Sequence, residues 1–100
     1  MRSYFRDLDV PAVANTNGDA VQVKDYRDKT IQVHGTFSAG LEIQVSLDGG
    51  TTFVPVVTGI TAPGIHQVPQ TCTHLRVRNV TFVSGVPHAV LGAFDARSDG

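Results

Sequence analysis

Ile31-Gln32-Val33-His34-Gly35-Thr36-Phe37, followed by Leu41-Glu42-Ile43-Gln44-Val45-Ser46-Leu47 and then Asp48-Gly49-Gly50-Thr51-Thr52-Phe53-Val54-Pro55-Val56-Val57, is the stretch that decides the fold of this chain. In a strand, successive side chains point to opposite faces, so each segment presents one apolar and one polar face. Asp-Gly-Gly supplies the positive-φ positions that a tight hairpin uses. The stretch predicts consecutive antiparallel strands. The first two connect through Ser38-Ala39-Gly40, and the second turns at Asp48 into the third.

Further strands are expected around 20–23, 64–69, 73–82 and 86–94, with Gly59, Pro63-Gly64, Pro69 and Ser84-Gly85 between them. Turn signals every 8–12 residues or so are the signature of an all-β sandwich or barrel. No window spells a capped amphipathic helix, so the fold class is all-β, an antiparallel β-sandwich. Ile31, Val33, Leu41, Ile43, Val45, Leu47, Leu75, Val77, Val80, Val90 and Leu91, with Phe53 or Val54, are the expected core. Residues 1–20 follow neither strand nor helix period for long and read as an extended N-terminal arm, or equally as a first edge strand near Phe5–Val10. The sandwich domain then spans 21–95, and 96–100 form a flexible tail.

One hundred residues support a single core and no separate catalytic lobe. Charged residues make up only 17%, below the roughly 25% typical of globular proteins. The net charge is -1 and the eight Lys and Arg residues are scattered, so the phosphate attraction that drives nucleic-acid binding is missing. No apolar stretch is long enough to span a membrane, and the N-terminus lacks the apolar region of a secretory signal. Nucleic acid and membrane are therefore not expected partners. A lone cysteine, Cys72, excludes an intrachain disulfide and reads as a small buried side chain.

Candidate chemistry is sparse. The histidines at 34, 66, 74 and 88 have no metal-ligand spacing, and His34, His66 and His74 meet only if their strands are neighbours. Cys72 and His74 share a strand face, but no orienting group or oxyanion hole accompanies them. Glu42 is the only glutamate, Asp48 is explained by its turn, and Asp25 and Asp28 read as a solvated loop. No catalytic residue, cofactor or metal is assigned, and the chain is not expected to be an enzyme. Arg76 and Arg78 alternate with Leu75 and Val77 and point away from the core. They serve solubility or pair with Glu42 across strands, or they dock an acidic partner.

The segment from Val33 to Val56, read as strand, Gly-Thr-Phe, strand ending Ser46-Leu47-Asp48-Gly49 and then Thr51-Thr52-Phe53, resembles small β-sandwich virion proteins of tailed bacteriophages. Ile60-Thr61-Ala62-Pro63-Gly64-Ile65-His66-Gln67-Val68-Pro69, Leu75-Arg76-Val77-Arg78 and Ser84-Gly85 extend the resemblance over about residues 30–94. It implies a jelly-roll-like capsid decoration (cement) protein, commonly a homotrimer. Such a protein would be made in the host cytoplasm and sit on the virion's capsid surface. There it would stabilise the assembled head by bridging subunits of the major capsid protein. Arm residues Tyr4, Phe5, Leu8 and Val10, with Arg76 and Arg78, are the expected partner contacts. Deleting residues 1–14 would then abolish binding and leave the sandwich folded. The Ser-Xaa-Asp-Gly element also resembles galactose-binding-like sandwiches. The alternative is a carbohydrate- or receptor-binding module of a phage tail fibre or baseplate, with its ligand near Asp48-Gly49-Gly50.

Overall fold

The structure is a computed structural model that describes residues 3–24 and 26–94. The proposed tail at 96–100 and Asp25 lie outside the described residues. Among the described residues there is no helix, and the strands are β1 (Ser3–Leu8), β2 (Thr16–Asn17), β3 (Val21–Gln22), β4 (Asp28–His34), β5 (Phe37–Ser46), β6 (Val54–Ile60), β7 (Gly64–Val68), β8 (His74–Gly85) and β9 (His88–Phe94). They form two antiparallel sheets packed together. One has the order β1-β9-β4-β7; the other has the order β2-β8-β5-β6, with β3 also on β8. Only the β2–β3 and β5–β6 connections stay within one sheet; every other connection passes from one sheet to the other.

Alternation along the strands produces the core. Lys29, Ile31 and Val33 on β4, Ala89, Leu91 and Ala93 on β9, and Val68 on β7 turn inward from one sheet. Leu41, Ile43 and Val45 on β5, Leu75 and Val77 on β8, and Ile60 on β6 meet them from the other. Each fully buried aliphatic side chain contributes about 1.5–3 kcal/mol relative to exposure. Lys29 holds an inward position because its ammonium donates to the carbonyls of Tyr26 (3.4 Å) and Arg27 (3.2 Å). The buried charge is thereby hydrogen-bonded rather than stranded.

The strands at 31–37 and 41–47 do not form a hairpin. β4 ends at His34, the chain crosses between sheets at Gly35 (φ 101°), and Ser38-Ala39-Gly40 lie inside β5. The Asp48-Gly49-Gly50 connection does join a paired hairpin, β5 with β6, and both glycines have positive φ. The crossing at Gly35 abuts the one at Gly85 (φ 90°): a Cβ on Gly85 would meet the backbone of Thr36 and Phe37. Only glycine fits that approach.

The core also departs from the expected set at its margins. Leu47 is 70% exposed and Val54 is 57% exposed, because both lie where β5 and β6 leave the sheet around the turn. Val80 is only half-buried, and Asn79 takes the inward position after Leu75 and Val77. Register shifts between β5 and β8 set two β8 residues against one, so the inward phase resumes at Phe82, which packs on the core. Val90 alternates with inward Leu91 and therefore faces out.

Residues 3–8 pair with β9 in unbroken register from Ser3↔Phe94 to Leu8↔Ala89. An edge strand stands here, starting at Ser3 rather than Phe5. From Leu8 the chain crosses to the second sheet, where the Pro11 carbonyl accepts a hydrogen bond from the buried Asn79 amide (2.8 Å). Removing residues 1–14 would strip a strand from one sheet and leave that amide without its acceptor, so the deletion is expected to destabilise the sandwich rather than leave it intact.

Candidate binding surfaces

The two sheets present different outer faces. On the sheet containing β1, the outward positions are Phe5 on β1, Val90, Gly92 and Phe94 on β9, Thr30 and Gln32 on β4, and Ile65 on β7. Phe5 and Ile65 are each 62% exposed. Phe5 meets Phe94 edge-on, ring centroids 5.4 Å apart, and its ring lies over Gly92. Together these residues line a shallow apolar groove of about 330 Å³. A partner that covered this surface would gain by excluding water from it.

The other outer face is polar and internally bonded. Arg76 stands opposite Gln44 and donates from Nε to its Oε1 (2.7 Å); Gln44 in turn donates to Glu42. The Arg76 guanidinium also lies 3.9 Å from the centre of the Phe53 ring, a cation–π contact. Its pKa is lowered by burial first and by neighbouring Arg78 second, with Glu42 opposing. Arg78 stands opposite Glu42 in the ladder but donates to Asn17 (2.8 Å) and Asn15 (3.4 Å), tying β2 to β8. Both arginines face away from the core and are engaged by groups of their own chain.

The four arm residues separate in the same way. Leu8 is buried, Val10 packs against the core, and Tyr4 packs on it and stacks on Tyr26 at 5.6 Å between ring centroids. Of the four, Phe5 alone is exposed.

The turn that carries the family resemblance is held by its own side chains. Asp48 Oδ1 accepts from the Ser46 hydroxyl (2.7 Å) and from the backbone N–H groups of Thr51 (3.2 Å) and Thr52 (2.8 Å). Ser46 Oγ accepts from the N–H of Gly50 (3.0 Å), and Thr73 Oγ1 accepts from that of Gly49 (3.1 Å). The Ser46 bond first and the Thr52 bonds next lower the Asp48 pKa from 3.8 to about 2; burial opposes them, and the Thr51 bond adds the least. The Ser-Xaa-Asp-Gly spelling thus has a structural purpose: it closes the β5–β6 hairpin.

The histidines do not converge as the sequence allowed. His34 and His66 share a sheet, but His34 faces out and His66 lies on the inward side of edge strand β7; His74 belongs to the other sheet. His34 instead stacks on His88, directly opposite in the β4–β9 ladder, at 5.1 Å between ring centroids. That pairing depends on register alone and leaves no local spacing signal. Cys72 is buried; burial raises its pKa and nearby Lys29 opposes the shift. Among the described residues no three His, Cys, Asp or Glu side chains are grouped to hold a metal, and no helix is long and apolar enough to cross a membrane.

No family model and no curated protein matches the sequence. Among solved structures, the SPBc2 prophage-derived protein YomS has a similar fold, with a TM-score of 0.65 at 10% identity over 93% of this chain and 96% of that one. A Bacillus endospore appendage protein, from a family of disulfide-linked pili, aligns more loosely, with a TM-score of 0.42 at 11% identity over 94% of this chain and 85% of that one.

Proposed function

We propose that this chain is a non-enzymatic structural protein of a phage particle, a decoration subunit that binds the outside of the assembled head and bridges major capsid subunits. The observation that carries the reading is the fold shared with a prophage-derived protein over nearly the whole of both chains. The strand order, β1-β9-β4-β7 against β2/β3-β8-β5-β6, supports the jelly-roll class that the resemblance implies. The apolar outer face around Phe5, Ile65 and Phe94 is the contact surface in this reading, and Phe5 is the arm residue retained for it. Stabilisation would come from mass action: a subunit that binds the expanded lattice and not its loose components shifts the equilibrium toward the lattice.

The test is to mix the purified protein with expanded heads lacking it, sediment them, and follow heat disruption of the shells. Co-sedimentation to saturation with a higher disruption temperature supports the proposal. Protein found in virions but on purified tails would favour the receptor-binding alternative, and absence from virions would overturn both. At the Asp48 turn, where that alternative places its ligand, Oδ1 is committed to three donors and a groove of about 270 Å³ lies between Leu47, Asp48, Thr52 and Val54.

A further inference from the structure

A sheet edge exposes unpaired backbone N–H and C=O groups, and proteins that stay apart obstruct their edges. Three of the edges here are obstructed. β7 is five residues long, lies between Pro63 and Pro69, and turns His66 inward with its buried Nε2 unpartnered among the described residues. β6 carries Pro55, Gly59 at φ 69° and two register irregularities against β5. The edge formed by β2 and β3 offers two residues from each. β1 differs: its six residues contain no proline, glycine or bulge, it pairs with β9 without a register shift, and the one charge on its inward set, Arg6, is engaged by the Tyr4 hydroxyl.

We propose that β1 pairs antiparallel with β1 of a second copy about a two-fold axis at Phe5, joining two four-stranded sheets into one continuous sheet. The side chains select this register. A two-fold axis perpendicular to the sheet keeps outward residues opposite outward ones, so Phe5 and Asp7 must face residues of their own set, as must Tyr4, Arg6 and Leu8. An axis at Arg6 opposes two guanidinium groups, and an axis at Asp7 opposes two carboxylates. Among the described residues, an axis at Tyr4 leaves only residues 3–5 paired. The axis at Phe5 pairs residues 3–7: Phe5 meets the copy's Phe5, Arg6 stands opposite the copy's Tyr4, and Asp7 stands opposite residue 3.

No charge then meets its like, and an aromatic pair sits at the centre. Arg6 already donates to the Tyr4 hydroxyl of its own chain (3.1 Å), so in the pair it lies between two tyrosines. The Phe5–Phe94 surface becomes continuous across both copies. This contact is independent of the capsid reading, and its two-fold symmetry differs from the threefold association that the resemblance implies.

Light scattering and sedimentation velocity of the full chain over a wide concentration series provide the test. The expected mass rises from one chain to two with concentration. Phe5→Lys, which sets two ammonium groups opposite each other, should raise the midpoint at least tenfold. Val83→Lys, at a position on β8 that is 76% exposed, should leave it unchanged. Because directly opposite Cβ atoms lie roughly 4.5–5.5 Å apart, close to disulfide reach, Phe5→Cys should form a covalent dimer on mild oxidation while Val83→Cys does not. The cross-link decides the matter if Phe5→Lys impairs folding. A chain that stays monomeric, one that trimerises, a dimer indifferent to Phe5→Lys, or a Phe5→Cys variant that cross-links no faster than Val83→Cys overturns the proposal.

Discussion

Leu8→Ala separates an N-terminal segment that belongs to the fold from one that merely extends from it. Leu8 is 7% exposed, sits inward on β1 opposite Ala89, and belongs to the core. Buried Leu→Ala substitutions cost about 2–5 kcal/mol, less where the site can collapse. An edge strand can move inward, so about 2–3 kcal/mol is expected. For a domain of this size each kcal/mol lowers Tm by about 4–8 °C, placing the loss at roughly 10–20 °C. Phe5→Ala, three residues earlier on the opposite face, removes one edge-on aromatic contact and the cover over Gly92, worth about 0.5–1.5 kcal/mol. Urea unfolding of both variants at low protein concentration, followed by far-ultraviolet dichroism, measures the two values. The midpoint should fall for Leu8→Ala with the slope unchanged. A loss below about 0.5 kcal/mol for Leu8→Ala, the range of ordinary surface substitutions, would show that residues 3–8 contribute nothing to the folded domain and would refute the strand assignment.

Asp48 should make stability pH-dependent: its folded pKa is depressed from 3.8 to about 2, so its contribution is present above pH 3.8 and lost as pH falls through about 2. The stability difference between wild type and Asp48→Ala, followed by chemical unfolding, should therefore narrow over that window; a gap that widens on acidification would contradict it. Gly85→Ala should cost more than about 2 kcal/mol, since positive φ is compounded by collision with Thr36 and Phe37. Gly49→Ala, at φ 78° with open space around it, should cost about 1–2 kcal/mol. Equal thermal shifts for the two would argue against the close approach of the crossing chains. Burial raises the Cys72 pKa, so a disulfide reagent should label the native protein slowly and the urea-unfolded protein at once; rapid native labelling would place the thiol at the surface.

Alternation of apolar and polar residues, a local property of strands, was enough to predict an all-β chain and the inward residues Ile31, Val33, Leu41, Ile43, Val45, Leu75, Val77 and Leu91. The Asp48-Gly49-Gly50 hairpin was equally legible, because its positive-φ demands are met within a few residues. Alternation carries no information about which sheet receives a strand. The crossing at Gly35, the inclusion of Ser38-Ala39-Gly40 in the first part of β5, and the entry of β1 beside β9 depended on pairings between distant segments. Alternation from Leu75 and Val77 already gives the next inward position to Asn79 and leaves Val80 out of phase; the β8 bulge, which restores the inward phase at Phe82, depends on register against β5 and leaves no trace in spacing.

The surfaces divide along the same line. That Arg76 and Arg78 point outward follows from their neighbours in sequence. That Gln44, Phe53, Asn15 and Asn17 engage them follows only from register and from the hydrogen-bonding needs of a packed surface. Phe5, Ile65, Val90 and Phe94 are dispersed along the chain, and sheet pairing alone gathers them into one apolar face. Sequence by itself determined which residues alternate and where the chain can turn, because those are short-range steric matters. Tertiary structure decided which edges and faces remain uncovered, because that depends on what every other strand has already buried.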